Sequence, residues 1–130
     1  MRLLLDIHIF LWFITADERL PTAMREAIRD SSNEVYLSVV SVWEAVVKYQ
    51  LGKLPLPDSP KSYIPMQREL HQIASLALDE RAVSYLPQLP SLHRDPFDRM
   101  LICQALASNL TMLTRDDYIR AYPVSLFQNV

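Results

Sequence analysis

Four acidic residues punctuate this chain where apolar, strand-like runs give way to helix or loop. Asp6 follows Leu3-Leu-Leu5, and Glu44 follows Val35-Tyr-Leu-Ser-Val-Val40. Asp98 closes Arg94-Asp-Pro-Phe-Asp98, and Asp116 follows Leu113-Thr-Arg115. In an open parallel α/β sheet, ligands bind outside the carboxyl ends of the strands. Four acids delivered there share one pocket. Carboxylates a few ångströms apart repel, so protons or a cation must join them. An all-oxygen cluster suits Mg²⁺ or Mn²⁺. The chemistry to expect is metal-dependent phosphoryl transfer.

Each acid also has a plainer reading. Asp6 can cap the helix that follows it. Glu44 precedes Lys48 by one turn, the favoured orientation for a helix ion pair. Yet Val39 to Val47 is apolar apart from Ser41 and Glu44, and a polar stripe on a mostly buried helix needs a cavity or a cation to explain it. Asp95-Pro96-Phe97-Asp98 reads as a helix start, with Asp95 as cap and Pro96 in the first position. The same start holds both carboxylates at a positive helix end. Either Asp116 or Asp117 can cap a helix after the strand Leu110 to Leu113. The Thr114 hydroxyl beside them can orient a metal-bound water. His8 fits a helix-face or supporting position better than a ligand position.

The elements that must carry these residues alternate. Strands are expected at Leu3–Leu5, Val35–Ser38, Ile73–Leu76, Leu110–Leu113 and Val124–Phe127. Helices are expected at Ile7–Thr15, Pro21–Arg29, Val39–Leu51, Ser62–His71, Asp79–Leu86, Phe97–Ser108 and Asp116–Ala121. Gly52 is placed to end the third helix. Pro55, Pro57 and Pro60 make Lys53 to Pro60 a connector, and Leu86 to Pro96 reads as loop. Alternating strands and helices argue for βαβ units and a parallel sheet. At 130 residues the chain fits one domain, residues 1–130, with a real core.

Composition excludes several classes. The single glycine, Gly52, rules out a dinucleotide or phosphate loop, since each needs several glycines for close backbone approach. The net charge of −2 supplies no global field for nucleic acid, so positive charge must be local or come from metal. One cysteine, Cys103, excludes an intrachain disulfide and fits a reducing, cytoplasmic setting. No apolar run is long enough for a membrane span. Asp6 and His8 break the N-terminal apolar run early, so a signal peptide is not expected.

Taken in order, the acidic motifs resemble those of the PIN-domain ribonucleases, and within them the VapC-type toxins of toxin–antitoxin pairs. Leu3-Leu-Leu-Asp-Ile-His8 is similar to the opening motif and Ser38-Val-Val-Ser-Val-Trp-Glu44 with Lys48 to the second. His93-Arg-Asp-Pro-Phe-Asp-Arg-Met-Leu-Ile102 is similar to the third and Leu113-Thr-Arg-Asp116 to the fourth. The resemblance implies a three-layer α/β sandwich with the first strand central. It implies an Mg²⁺- or Mn²⁺-dependent endoribonuclease with Asp6, Glu44, Asp98 and Asp116 as its metal-site acids. Asp6 and Asp98 would be the main ligands. Asp95, Thr114 and Ser41 would support them, and Arg94, Arg99, Arg115 and Lys48 would meet the RNA. A cognate antitoxin and a homodimer are the partners implied. One position departs: Ile7 stands where the family usually has Thr or Ser. That substitution keeps a second reading open, a PIN-like module that holds RNA or a partner without cutting. A phospho-acceptor receiver domain is the weaker rival, because Asp6 stands alone and no lysine follows Lys61.

Overall fold

The computed structural model describes residues 1–90 and 95–127. Four strands, β1 (Arg2–Leu5), β2 (Glu34–Ser38), β3 (Ala74–Leu76) and β4 (Thr111–Leu113), lie in the order β3-β2-β1-β4. Every pairing is parallel, so each connection must cross over one face of the sheet. Helices α1 (Ile7–Ile14) and α2 (Thr22–Arg29) make the first crossing, and α3 (Val39–Gln50) and α4 (Pro60–Leu70) the second. The third contains α5 (Glu80–Val83) and α6 (Pro96–Ser108).

The continuous apolar run of β1 follows from its interior place. Leu3 and Leu5 point to one face, packing with Phe10, Met24, Ile28 and Ile64. Leu4 points to the other, packing with Leu101, Ile102 and Met112. All three leucines are fully buried, which is why this strand does not alternate. Each is worth about 1.5–3 kcal/mol of burial. The three layers and the interior first strand are as expected from the sequence.

Helices α1 and α3 begin directly at strand ends and α6 begins after a longer connection, each started by a capping residue. Asp6 directly follows β1 and accepts from the Ile9 N–H at 2.8 Å. Ser38 ends β2 and accepts from the Val40 N–H at 3.0 Å. Asp95 accepts from the N–H groups of Phe97 and Asp98. At the far end of α3, Gly52 adopts φ +71°. Its N–H reaches the Tyr49 carbonyl and that of Lys53 reaches Lys48. This paired closure needs a left-handed residue, and only glycine takes that conformation without strain.

The structure shifts four expected elements. Helix α4 starts at Pro60 rather than Ser62, because proline is harmless where no helical N–H is needed. The helix expected over Asp79–Leu86 keeps its Asp79 cap but lasts only four residues, with a 3₁₀ turn at Leu86–Gln88 containing Pro87. Asp117–Ala121 is also 3₁₀; Tyr122 precedes Pro123, a position disfavoured for α-helix. The expected last strand is reduced to one bridge, Leu126 beside Met112. Pro123 cannot donate to a ladder, which shortens the pairing.

Candidate active site

The carboxyl ends of β1 and β4, helix α3 and the start of α6 enclose a cleft of about 110 Å³. Asp6, Glu44, Asp98 and Asp116 all line it, together with Asp95, Lys48, Arg115, His8 and Ile7. Four chain segments far apart in sequence thus meet at one point. Asp6 arrives at the end of β1, Glu44 from the second turn of α3, Asp98 from the first turn of α6, and Asp116 from just beyond β4.

Asp6, Glu44 and Asp98 are buried, at 4%, 4% and 6% exposure. Asp6 holds both of its roles at once. One carboxylate oxygen caps α1, and the other accepts from the Arg115 N–H at 3.3 Å. The Thr114 hydroxyl also donates to it, while accepting from the Asp116 N–H at 3.1 Å. Thr114 therefore ties Asp6 to Asp116. Burial raises the Asp6 pKa above its ordinary range, and the nearby Asp116 charge adds to that. The bonds from Thr114, Ile9 and Arg115 pull the other way without cancelling it.

Glu44 forms its one-turn ion pair with Lys48. The pair is not a solvated surface feature, since it sits inside the cleft. Burial alone would lower the Lys48 pKa, but the hydrogen bond and charge of Glu44, with Asp95 and Asp98 beyond it, leave it raised. Lys48 is thus the cation that the acid cluster already contains. His8 is half-buried, and burial, Arg115 and Lys48 lower its pKa, so near neutrality it adds no positive charge.

Among the described residues the lining carries five carboxylates against Lys48 and Arg115. That imbalance, in a pocket of hard oxygen donors, fits a divalent cation such as Mg²⁺ or Mn²⁺. No three acidic or imidazole groups among the described residues close tightly enough to enclose an ion in this conformation. Their bonds say why: Glu44 is turned to Lys48, and Asp6 to backbone N–H groups. The donors match in kind and number, and drawing them together requires those bonds to loosen.

Other sequence-predicted residues fall elsewhere. The Ser41 hydroxyl is fully buried and has no hydrogen-bond partner among the described residues, and it does not line the cleft. Arg99 donates to the Pro90 carbonyl at 2.9 Å and reaches the Tyr122 hydroxyl. One residue beyond Asp98 on a helix, it turns about 100° away and is not part of the lining. Arg94 lies outside the described residues. Lys48 was expected to meet RNA and is instead engaged with the acids. Sequence reasoning missed the larger groove that shares Arg115 and Asp116 with the cleft and adds Trp12, Arg19 and Arg120. The arginines have acids close by in sequence, so they read as ordinary surface pairs.

The PIN domain family model matches residues 3–124. Ribonuclease VapC16 of Mycobacterium tuberculosis (strain ATCC 25618 / H37Rv) is 36% identical over 55 residues. The match spans 42% of this chain and 39% of that protein, so it covers well under half of the relative's length. Among solved structures, VapBC2 from Rickettsia felis bound to a promoter DNA fragment aligns over 100% of this chain and 99% of that one. Its TM-score is 0.71 at 16% identity. FitAcB from Neisseria gonorrhoeae aligns with a TM-score of 0.63 at 23% identity, over 98% of this chain and 97% of that one. At these identities the structures speak for the fold. The family match, over nearly the whole length and across all four acidic segments, shows that this chain belongs to the PIN domain family.

Proposed function

We propose that this protein is an endoribonuclease that uses Mg²⁺ or Mn²⁺ to hydrolyse RNA phosphodiester bonds, and that it is the toxin of a toxin–antitoxin pair. The observation that carries the reading is the convergence of Asp6, Glu44, Asp98 and Asp116 on one cleft, three of them buried. Asp6 and Asp98 would hold a cation most directly, with Glu44 and Asp116 reaching it or a second ion. When bound, the cation supplies Lewis acidity, both to generate a nucleophile at neutral pH and to offset charge on the phosphorane. The chain's own residues set the stage. Thr114 and the Arg115 N–H fix the Asp6 carboxylate, and Asp95 fixes the first turn of α6 from which Asp98 projects. The Arg115 guanidinium, 4.0 Å from the Asp116 carboxylate, is placed to meet a phosphate.

The partner proposal rests on the relatives and on the surface. The similar structures are VapBC and FitAcB assemblies. Here Trp43 (55%), Leu51 (63%), Met66 (55%) and Leu70 (70%), on or next to α3 and α4, are exposed. Exposed apolar side chains of this size suit a second copy and an antitoxin. No helix among the described residues is long and apolar enough to cross a membrane, and a cytoplasmic site of action fits the buried thiol of Cys103. The test is cleavage of a labelled RNA with Mn²⁺, with EDTA, and by Asp6→Asn and Asp98→Asn. Cleavage that survives EDTA or both variants would sink the metal-site assignment. RNA binding with no cleavage under any metal would favour the non-catalytic module, for which buried Ile7 is the supporting observation.

A further inference from the structure

Resting on the nuclease reading, we propose that the groove beside the acid cleft seats single-stranded RNA, with the Trp12 indole as a stacking platform and Arg19, Arg115 and Arg120 as phosphate contacts. The groove has a volume of about 740 Å³ and shares Arg115 and Asp116 with the acid cleft. The two therefore lie side by side, with Arg115 and Asp116 on their common border. Trp12 packs against the core yet keeps part of its ring exposed. The Arg19 guanidinium lies 5.1 Å and that of Arg115 5.9 Å from the indole centroid. Both guanidiniums lie over the indole, so a base stacks there by taking the place of one of them, and the displaced guanidinium is left beside the phosphate.

Arg115 and Arg120 are available for exchange. Arg19 pairs with Asp17 at 2.7 Å, Arg120 with Asp117 at 3.4 Å and Arg115 with Asp116 at 4.0 Å. The single contacts of Arg120 and Arg115 are weakly held and screened by salt, whereas Arg19 sets both forked donors on Asp17 and is the firmest of the three. A guanidinium can trade such a carboxylate for a phosphate, whose oxygens match its forked donors. The lining holds three guanidiniums and two carboxylates, and Arg25 stands just outside, donating to the Asp17 carbonyl. Local charge thus runs against the net charge of −2. An aromatic platform needs bases that are free to leave a stack, so a single strand suits the groove better than a duplex.

The chain has two tryptophans, so Trp43→Phe leaves Trp12 as the sole indole reporter. This protein is titrated with a short phosphorothioate-linked oligouridylate in Mn²⁺ and in EDTA, across a salt series. Saturable quenching of Trp12 is expected. Trp12→Ala, followed with an end-labelled oligouridylate, should weaken binding at least about fivefold and Trp12→Phe should retain most of it. Arg19→Gln and Arg120→Gln, both at exposed positions, should each flatten the slope of log affinity against log salt by about 0.7. No quenching, or salt slopes unchanged in both arginine variants while RNA is still cut, would overturn the groove assignment and leave the nuclease standing. Quenching and altered slopes without any cleavage would support the groove and remove the nuclease reading.

Discussion

Asp6 serves two ends with one side chain: a cap for α1 and a buried charge in the cleft. Its folded pKa is raised by burial above the ordinary 3.8. Between those two values the folded state binds more protons than the unfolded state, so stability rises as pH falls through the raised pKa. Above it, the full cost of the buried charge is present. Asp6→Asn keeps a good capping group and removes that charge. Urea unfolding in EDTA should therefore show a variant at least as stable as the parent at neutral pH, with a flatter pH dependence. Calorimetry should show divalent-cation binding lost. A variant that unfolds more easily at neutral pH and still binds Mn²⁺ would contradict both roles. Lys48→Met tests the other side of the cluster. It leaves Glu44 buried without its counter-ion, at a cost of roughly 1–3 kcal/mol in EDTA. Saturating Mn²⁺ should recover part of that loss by taking the place of the ammonium. An equal loss with and without Mn²⁺ would show that Glu44 lies out of reach of the ion. Ser41→Ala removes a hydroxyl with no hydrogen-bond partner among the described residues, so its stability should match or slightly exceed the parent's.

At the scale of elements, the sequence disclosed most where local chemistry and tertiary place agree. Leu3-Leu-Leu5 reads as a covered parallel strand because it is one, and Asp79, Asp95 and Gly52 mark helix ends by their own bonds and dihedral. It disclosed less where length depends on packing. Nothing local in Asp79 to Leu86 says that the helix stops after one turn, and the strand expected at Val124–Phe127 depends on an edge partner that meets it at a single residue. The convergence of four acids was legible only through their order along alternating strands and helices. The one-turn spacing already turned Lys48 to Glu44, whereas the turn of Arg99 away from the acids is a matter of helical phase that a list of nearby basic residues does not convey. Two substitutions test this level. Gly52→Ala meets no atom within 4 Å of the new Cβ, so its cost is backbone strain alone, about 1 kcal/mol. A larger loss in denaturant unfolding would mean that the closure of α3 supports the site beyond its own turn. Ile7→Thr sits at 1% exposure in the core below the cleft. It should lower stability by about 2 kcal/mol while leaving turnover equal or higher, because the new hydroxyl stands beside Asp6. A several-fold fall in turnover of the folded variant would make Ile7 itself part of the working site.

At the scale of the whole molecule, charge decides when RNA can bind. The net charge is −2, and the acid cleft presents more carboxylates than cations to a phosphate. Without a divalent ion the cleft repels the scissile region, and only the arginines of the neighbouring groove attract. A bound ion reverses the sign at the cleft. Affinity for a cleavage-resistant RNA should therefore rise on adding Mn²⁺ and fall with monovalent salt along a shallow slope, since about three arginines and the ion face the strand. The gain should be lost in Asp6→Asn. It should be only reduced in Glu44→Gln, because Glu44 is already committed to Lys48 and is the acid most able to act through water. Filter binding across a salt series, with EDTA and Mn²⁺ arms, measures all of this. Equal affinity in both arms would mean that no ion joins the acids on the RNA-binding path, and that the chain holds RNA by its arginines alone.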